Sequence, residues 1–189
     1  MFLRVASFSL VLLFLLTCLA TAQVGVSKLV PEKYKVAPVA ANAKYYVDRD
    51  YTIVSLPKEL EAATMIMTGN DEKKSTGEGF ITFTIDQPAA VYIAHDSRGE
   101  TAKGGVPPDW LANQFTFVKG WEIAVTDTNM GTFNLWKKDF SAGVVKLGGN
   151  ADPPAAGQGS MYIVLLMPVK LASVMPSGKL SATWGAIKG

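Results

Sequence analysis

The side chains best suited to chemistry are scarce in this sequence, and their types already narrow what it can do. There is one histidine, His95, and one cysteine, Cys18, among 189 residues. A zinc or copper centre draws on several imidazole or thiolate ligands, so a lone histidine does not make one. A Ser-His-Asp nucleophile would have to recruit His95, and no Gly-x-Ser-x-Gly turn accompanies it. Beside Asp96 at a strand end, His95 reads as an exposed or hydrogen-bonded loop residue. Asp48 and Asp50 would lie about 7 Å apart on one side of an extended segment, at roughly 3.3 Å per residue. Inverting glycosidases separate their carboxyl groups by about that much, but Asp48-Arg49-Asp50 reads as a salt-bridged lead into the first strand. Loop oxygens of Asp71, Glu72 and Asp86 could hold a structural calcium ion, though without EF-hand spacing. Lys103-Gly104-Gly105 lacks the strand–loop–helix setting of a phosphate cradle. No catalytic residue, no metal ligand set and no cofactor is assigned.

Aromatic side chains are the resource that remains. Sugar rings present apolar C–H faces that stack on flat aromatic groups, while polar neighbours bond the hydroxyls. Trp136 alternates with Phe133 and Leu135, so if those two are core it faces outward, with Asn134 and Lys138 beside it. That is an aromatic group flanked by hydrogen-bonding side chains, the pattern of a sugar platform. Trp121 is a further candidate contact, whereas Trp110, after Pro107-Pro108-Asp109, reads as a loop plug against the core.

Short apolar runs rich in β-branched and aromatic residues must position these groups. They cover residues 51–56, 64–68, 79–85, 90–96, 114–118, 122–126, 132–137, 144–147 and 161–167, with Gly, Asn, Asp and Pro clusters between them. Only residues 57–63 suit a helical turn, opened by Pro57. In the run 81–85, Ile81, Phe83 and Ile85 share the inner face; the run 161–167 is apolar on both faces and should be central. The pattern predicts a single all-β domain over residues 44–167, an antiparallel β-sandwich of jelly-roll or immunoglobulin-like type. Residues 23–43 read as an extended leader with one pairing segment around 27–30. Residues 168–189 read as a short tail whose last strand-like piece, 179–187, could pair with a sheet edge and dock Trp184.

Residues 1–22 carry Arg4, an apolar stretch over 10–16 and Ala20-Thr21-Ala22, the pattern of a secretory signal peptide. Cleavage there would remove Cys18 and leave no membrane span. The expected location is therefore secreted or periplasmic. A hydrophobic content of 49% with a net charge of only +2 excludes a disordered chain and offers no electrostatic case for nucleic acid.

Three stretches, residues 45–73, 91–115 and 135–150, together resemble a β-sandwich module of secreted bacterial proteins that is often appended to polysaccharide-degrading enzymes. The resemblance is carried by Asp96 and Arg98, by Pro108, Trp110 and Leu111, by Asp139, Phe140 and Gly143, and by Gly148-Gly149-Asn150. It implies a carbohydrate-binding-module-like domain in which these positions fix the scaffold and its loops. His95 stands where the module carries an aromatic residue, and the insertion 99–106 is longer. Asp96 and Arg98 can pin that loop through charge-assisted bonds to backbone groups, and the Gly-Gly pair is expected to supply positive φ for a reversal.

The expected function is a non-enzymatic extracytoplasmic module that binds polysaccharide or another glycan through Trp136, Asn134, Lys138, Trp121, Trp110, Asp96 and Arg98. The second expectation is a structural or adhesive subunit of a surface layer, assembling through its N-terminal segment. The third is a polysaccharide-active enzyme using Asp96, Arg98 and His95.

Overall fold

The computed structural model describes residues 23–169. The expected signal peptide, the strand-like piece at 179–187 and Trp184 lie outside the described residues. Residues 23–43 carry two strands: β1 (Val26–Val30), which covers the expected pairing segment at 27–30, and β2 (Lys35–Pro38), in a stretch that read as extended leader. Then come β3 (Ile53–Ser55), a 3-10 turn at Lys58–Leu60 behind Pro57, and β4 (Thr64–Met67). After these run β5 (Ile81–Ile85), β6 (Ala89–Asp96), the one α-helix among the described residues, α1 (Asp109–Gln114), and β7 (Thr116–Val125). The last three strands are β8 (Thr132–Phe140), β9 (Gly143–Leu147) and β10 (Ile163–Pro168). Each apolar run from 51 to 167 therefore becomes a strand, with 114–118 and 122–126 fused into β7.

The strands form two antiparallel sheets, one of three strands in the order β1-β5-β9 and one of seven in the order β2-β4-β10-β6-β8-β7-β3. The chain is all-β, and the larger sheet curls into half a barrel. Alternation decides what each sheet buries. Ile81, Phe83 and Ile85 are buried while Thr82 and Thr84 are half-buried, as a one-sided strand requires. β10 lies between β4 and β6 and is buried on both faces over Ile163–Leu166, and β6 is buried along its whole length.

Both faces of the large sheet are covered, by different partners. Thr64, Leu166 and Val91 share one face through their cross-strand register. The small sheet lies on that side: Thr64 Oγ1 donates to Val24 O ahead of β1, and Tyr162 OH donates to Gly148 O just past β9. The opposite face, carrying Phe133 opposite Asp96 and Ile123, is filled by Tyr45, whose ring meets Phe133 edge-on at 5.3 Å. Phe117 pairs with Trp136 and Glu122 with Asn134, so residues 118–121 of β7 bulge opposite Leu135 alone. Gly120, at φ 82°, makes that excursion possible.

Truncating the small sheet's inner face should therefore cost far more than truncating its outer face. Phe83→Ala is expected to lower unfolding free energy by about 3–5 kcal/mol, and Val144→Ala, on an exposed position of the neighbouring strand, by no more than about 0.5 kcal/mol. Urea denaturation of the two variants measures both.

Candidate functional site

The end of β6 is held by a buried carboxylate. Asp96 is fully buried and accepts hydrogen bonds from the backbone N–H of Arg98 at 2.9 Å, Gly159 at 2.8 Å and Ser160 at 2.9 Å. The Arg98 guanidinium closes on the same group, Nη2 at 2.7 Å and Nε at 3.0 Å, and reaches on to Asn129 O and Ser160 Oγ. Burial by itself would raise the Asp96 pKa, but Arg98 and the N–H groups of Gly159 and Arg98 outweigh it and hold the carboxyl below its usual range. Asp96 in turn raises Arg98. Asp96 and Arg98 thus pin the loop after β6 and are engaged with each other and with backbone.

On the other face of β6, His95 is fully buried rather than exposed in a loop, and its Nδ1 is 2.9 Å from Glu100 Oε1. Trp136 Nε1 donates to the same oxygen at 2.9 Å. Trp136 does face away from Phe133 and Leu135, but the loop at 100–103 and Phe117 cover it, leaving it 9% exposed. Asn134 lies beside it, also buried. Lys138 shares that face but turns to Gln114 Oε1 at 3.0 Å and to the rings of Phe115 and Phe140. Trp121 is on the opposite face, stacked at 5.9 Å and 15° on Tyr92, whose cross-strand partner is Lys137. The candidate residues are therefore distributed over several surfaces rather than gathered on one platform.

Trp110 borders an open depression. It stands on the short helix α1, held by edge contacts with Phe115 at 5.8 Å and Tyr162 at 5.6 Å, and Nε1 donates to Gly149 O at 3.0 Å. The close approach is possible because residue 148 is glycine: a side chain there would run into the indole ring. Gly149 is likewise packed on the backbone of Thr76. Neither glycine has positive φ, so the Gly-Gly pair supplies close approach instead of the expected left-handed turn. Burial pushes the Tyr162 phenol well above its usual pKa, keeping it a donor to Gly148 O at 2.7 Å. In front of Trp110 lies an open groove of about 530 Å³, bounded by Gln114, Phe140, Val144, Lys146 and Glu78. Lys146 and Glu78 have no ion-pair partner among the described residues. Sequence reading singled out Trp110 but missed Gln114, Lys146 and Glu78, which carry no local motif.

The other carboxylates have structural partners. Asp48 accepts from the N–H of Asn70 and Asp71, Asp50 bonds Lys44, and Arg49 bonds Asp71. Of the carboxylates proposed for calcium, Asp71 is held by Arg49, Glu72 by Lys33 and Tyr34, and Asp86 by Gly25 N–H. These contacts engage them separately, and no three histidine, cysteine or acidic side chains converge among the described residues.

No family model matches the chain, and no curated protein matches it in sequence. Its fold does match parts of solved structures. A beta-glucuronidase from glycoside hydrolase family 2 aligns with a TM-score of 0.63 at 20% identity, covering 77% of this chain and 14% of the enzyme's. A GH138 enzyme targeting pectin rhamnogalacturonan II aligns with a TM-score of 0.50 at 14% identity, covering 82% and 18%. The all-β fold thus occurs as a small part of far longer glycoside hydrolase chains.

Asp96 is the residue on which the site end of the sheet turns. Because its folded pKa is lowered, its stabilisation is complete above the unfolded value of about 3.9 and disappears as pH falls through the folded value. Asp96→Asn is expected to lose about 3 kcal/mol at pH 7, and the gap to the wild type should narrow steadily below pH about 4. Urea titrations across pH measure it.

Proposed function

We propose that the protein is a secreted, non-catalytic β-sandwich module that binds polysaccharide in the groove before Trp110. The observation that carries this reading is the groove itself: an aromatic and aliphatic floor of Trp110, Phe140 and Val144, edged by hydrogen-bonding Gln114, Lys146 and Glu78. Apolar sugar faces and hydroxyls call for that combination. The occurrence of the fold within glycoside hydrolases supports a carbohydrate context. The structural engagement of Asp48, Asp50 and Asp96 supports binding over bond cleavage.

A second reading, a structural or adhesive subunit, is supported by four exposed valines. Val30, Val36, Val54 and Val144 each lie on one of the strands that end the two sheets, β1, β2, β3 and β9. The N-terminal segment favours this reading less, because β1 and β2 pair within the chain.

Affinity electrophoresis against neutral and uronate-containing polysaccharides tests the first reading. Retardation by at least one glycan is expected, weakened about 5- to 10-fold by Gln114→Ala or Lys146→Ala, the worth of one hydrogen bond. A correctly folded protein retarded by none of them, or one that releases reducing ends, overturns it. Light scattering over a concentration series that shows growing oligomers would favour the second.

A further inference from the structure

The cleft over Trp136 has a chemistry different from that of the Trp110 groove. It is smaller, about 210 Å³, and is walled by Phe117, Trp136, Asn134 and the loop residues Glu100, Thr101 and Ala102. Phe117 is 42% exposed, and its ring meets Trp136 at 5.3 Å and 75°, so two aromatic surfaces set at a steep angle border one small space. Glu100 supplies the third wall. Its side chain is 6% exposed, and Oε1 accepts from His95 Nδ1 and Trp136 Nε1. Oε2 accepts no side-chain hydrogen bond among the described residues.

No lysine or arginine reaches this carboxylate among the described residues. Lys103, three residues on, bonds Ser97 Oγ, and Arg98 is engaged by Asp96. His95 Nδ1 and the Trp136 indole N–H face Oε1 of this carboxylate, and no lysine or arginine side chain joins them among the described residues. The neighbouring rings show the contrast. Over Phe115 and Phe140 the protein places Lys138 Nζ, 5.7 and 5.0 Å from the ring centroids. Over Phe117 and Trp136 no lysine or arginine of the described residues is placed, and a shielded carboxylate stands alongside instead.

Aromatic faces attract cations, most strongly where water is thinned, and a shielded carboxylate favours a cation for the same reason. We propose that the Phe117–Trp136–Glu100 cleft binds a small organic cation, an alkylated ammonium group. The site is distinct from the sugar groove, and it depends on the long loop after β6 that brings Glu100 over β8.

The indole N–H resonance of Trp136, followed in titrations of the full chain, tests this directly. Tetramethylammonium and choline are expected to shift it saturably, with affinity about tenfold above that of 3,3-dimethylbutanol, the uncharged isostere of choline. Phosphocholine, run in parallel, separates a free ammonium ligand from a phosphorylated head group. Glu100→Gln keeps an acceptor for His95 and Trp136 and should erase the preference for charge. Phe117→Leu, at a position 42% exposed, should weaken choline about fivefold or more. Equal binding of the uncharged isostere, an unchanged preference in Glu100→Gln, or a shift by neutral monosaccharides and none by tetramethylammonium would overturn the proposal. Polysaccharide retardation should survive Phe117→Leu, so the two sites fail or stand separately.

Discussion

A single ionised carboxylate inside the sheet organises this end of the molecule. Asp96 closes β6, gathers the N–H of Arg98 from the loop that follows, and gathers those of Gly159 and Ser160 from the segment leading into β10. A buried charge is tolerated only when such donors surround it. Arg98 completes the shell and donates to Asn129 O, so the segments at 96–98, 129 and 159–160 are fixed against one another. With that anchor set, the loop returns across β8 and delivers Glu100 to His95 and Trp136. Two carboxylates on opposite faces of one strand end thus have different roles. One is saturated and structural; the other retains an oxygen that no side chain among the described residues engages.

Much of this was legible in the residues. The alternation in β5, the two-sided apolar character of β10 and the Pro57 turn follow from side-chain periodicity, which reports burial directly. So does the loop-pinning of Asp96 and Arg98, because two residues of opposite charge beside a strand end are within each other's reach. β1 was legible only as a pairing segment around 27–30, and β2 was not legible at all. Both end their sheets and expose most of their residues, so the contrast that marks a strand is missing. The aromatic platform was half legible. Alternation put Trp136 on the face opposite Phe133 and Leu135 and wrongly made that face outward: Trp136 is buried, its cover comes from Glu100, 36 residues earlier, and no local pattern encodes that contact. The Gly148-Gly149 pair shows the same limit: turn chemistry and tight packing both ask for glycine, and only coordinates tell them apart.

The arrangement relates the fold to its possible roles in a simple way. Both faces of the large sheet are occupied, so surface sites arise where covering elements stop: beside α1 at the Trp110 groove, and beside the 100–103 loop at the Trp136 cleft. Each is built from an aromatic side chain anchored through its indole N–H, to Gly149 O in one case and to Glu100 in the other. Anchoring limits the rotamer freedom that a ligand would otherwise have to freeze.

The bulge at 118–121 carries one more implication. Phe117 before it and Glu122 after it are both in phase with β8. The excursion can therefore lengthen, shorten or be exchanged while the residues on either side keep their inward and outward assignments. It forms a natural graft point at the rim of the sheet, where new recognition loops can be tried without renegotiating the interior.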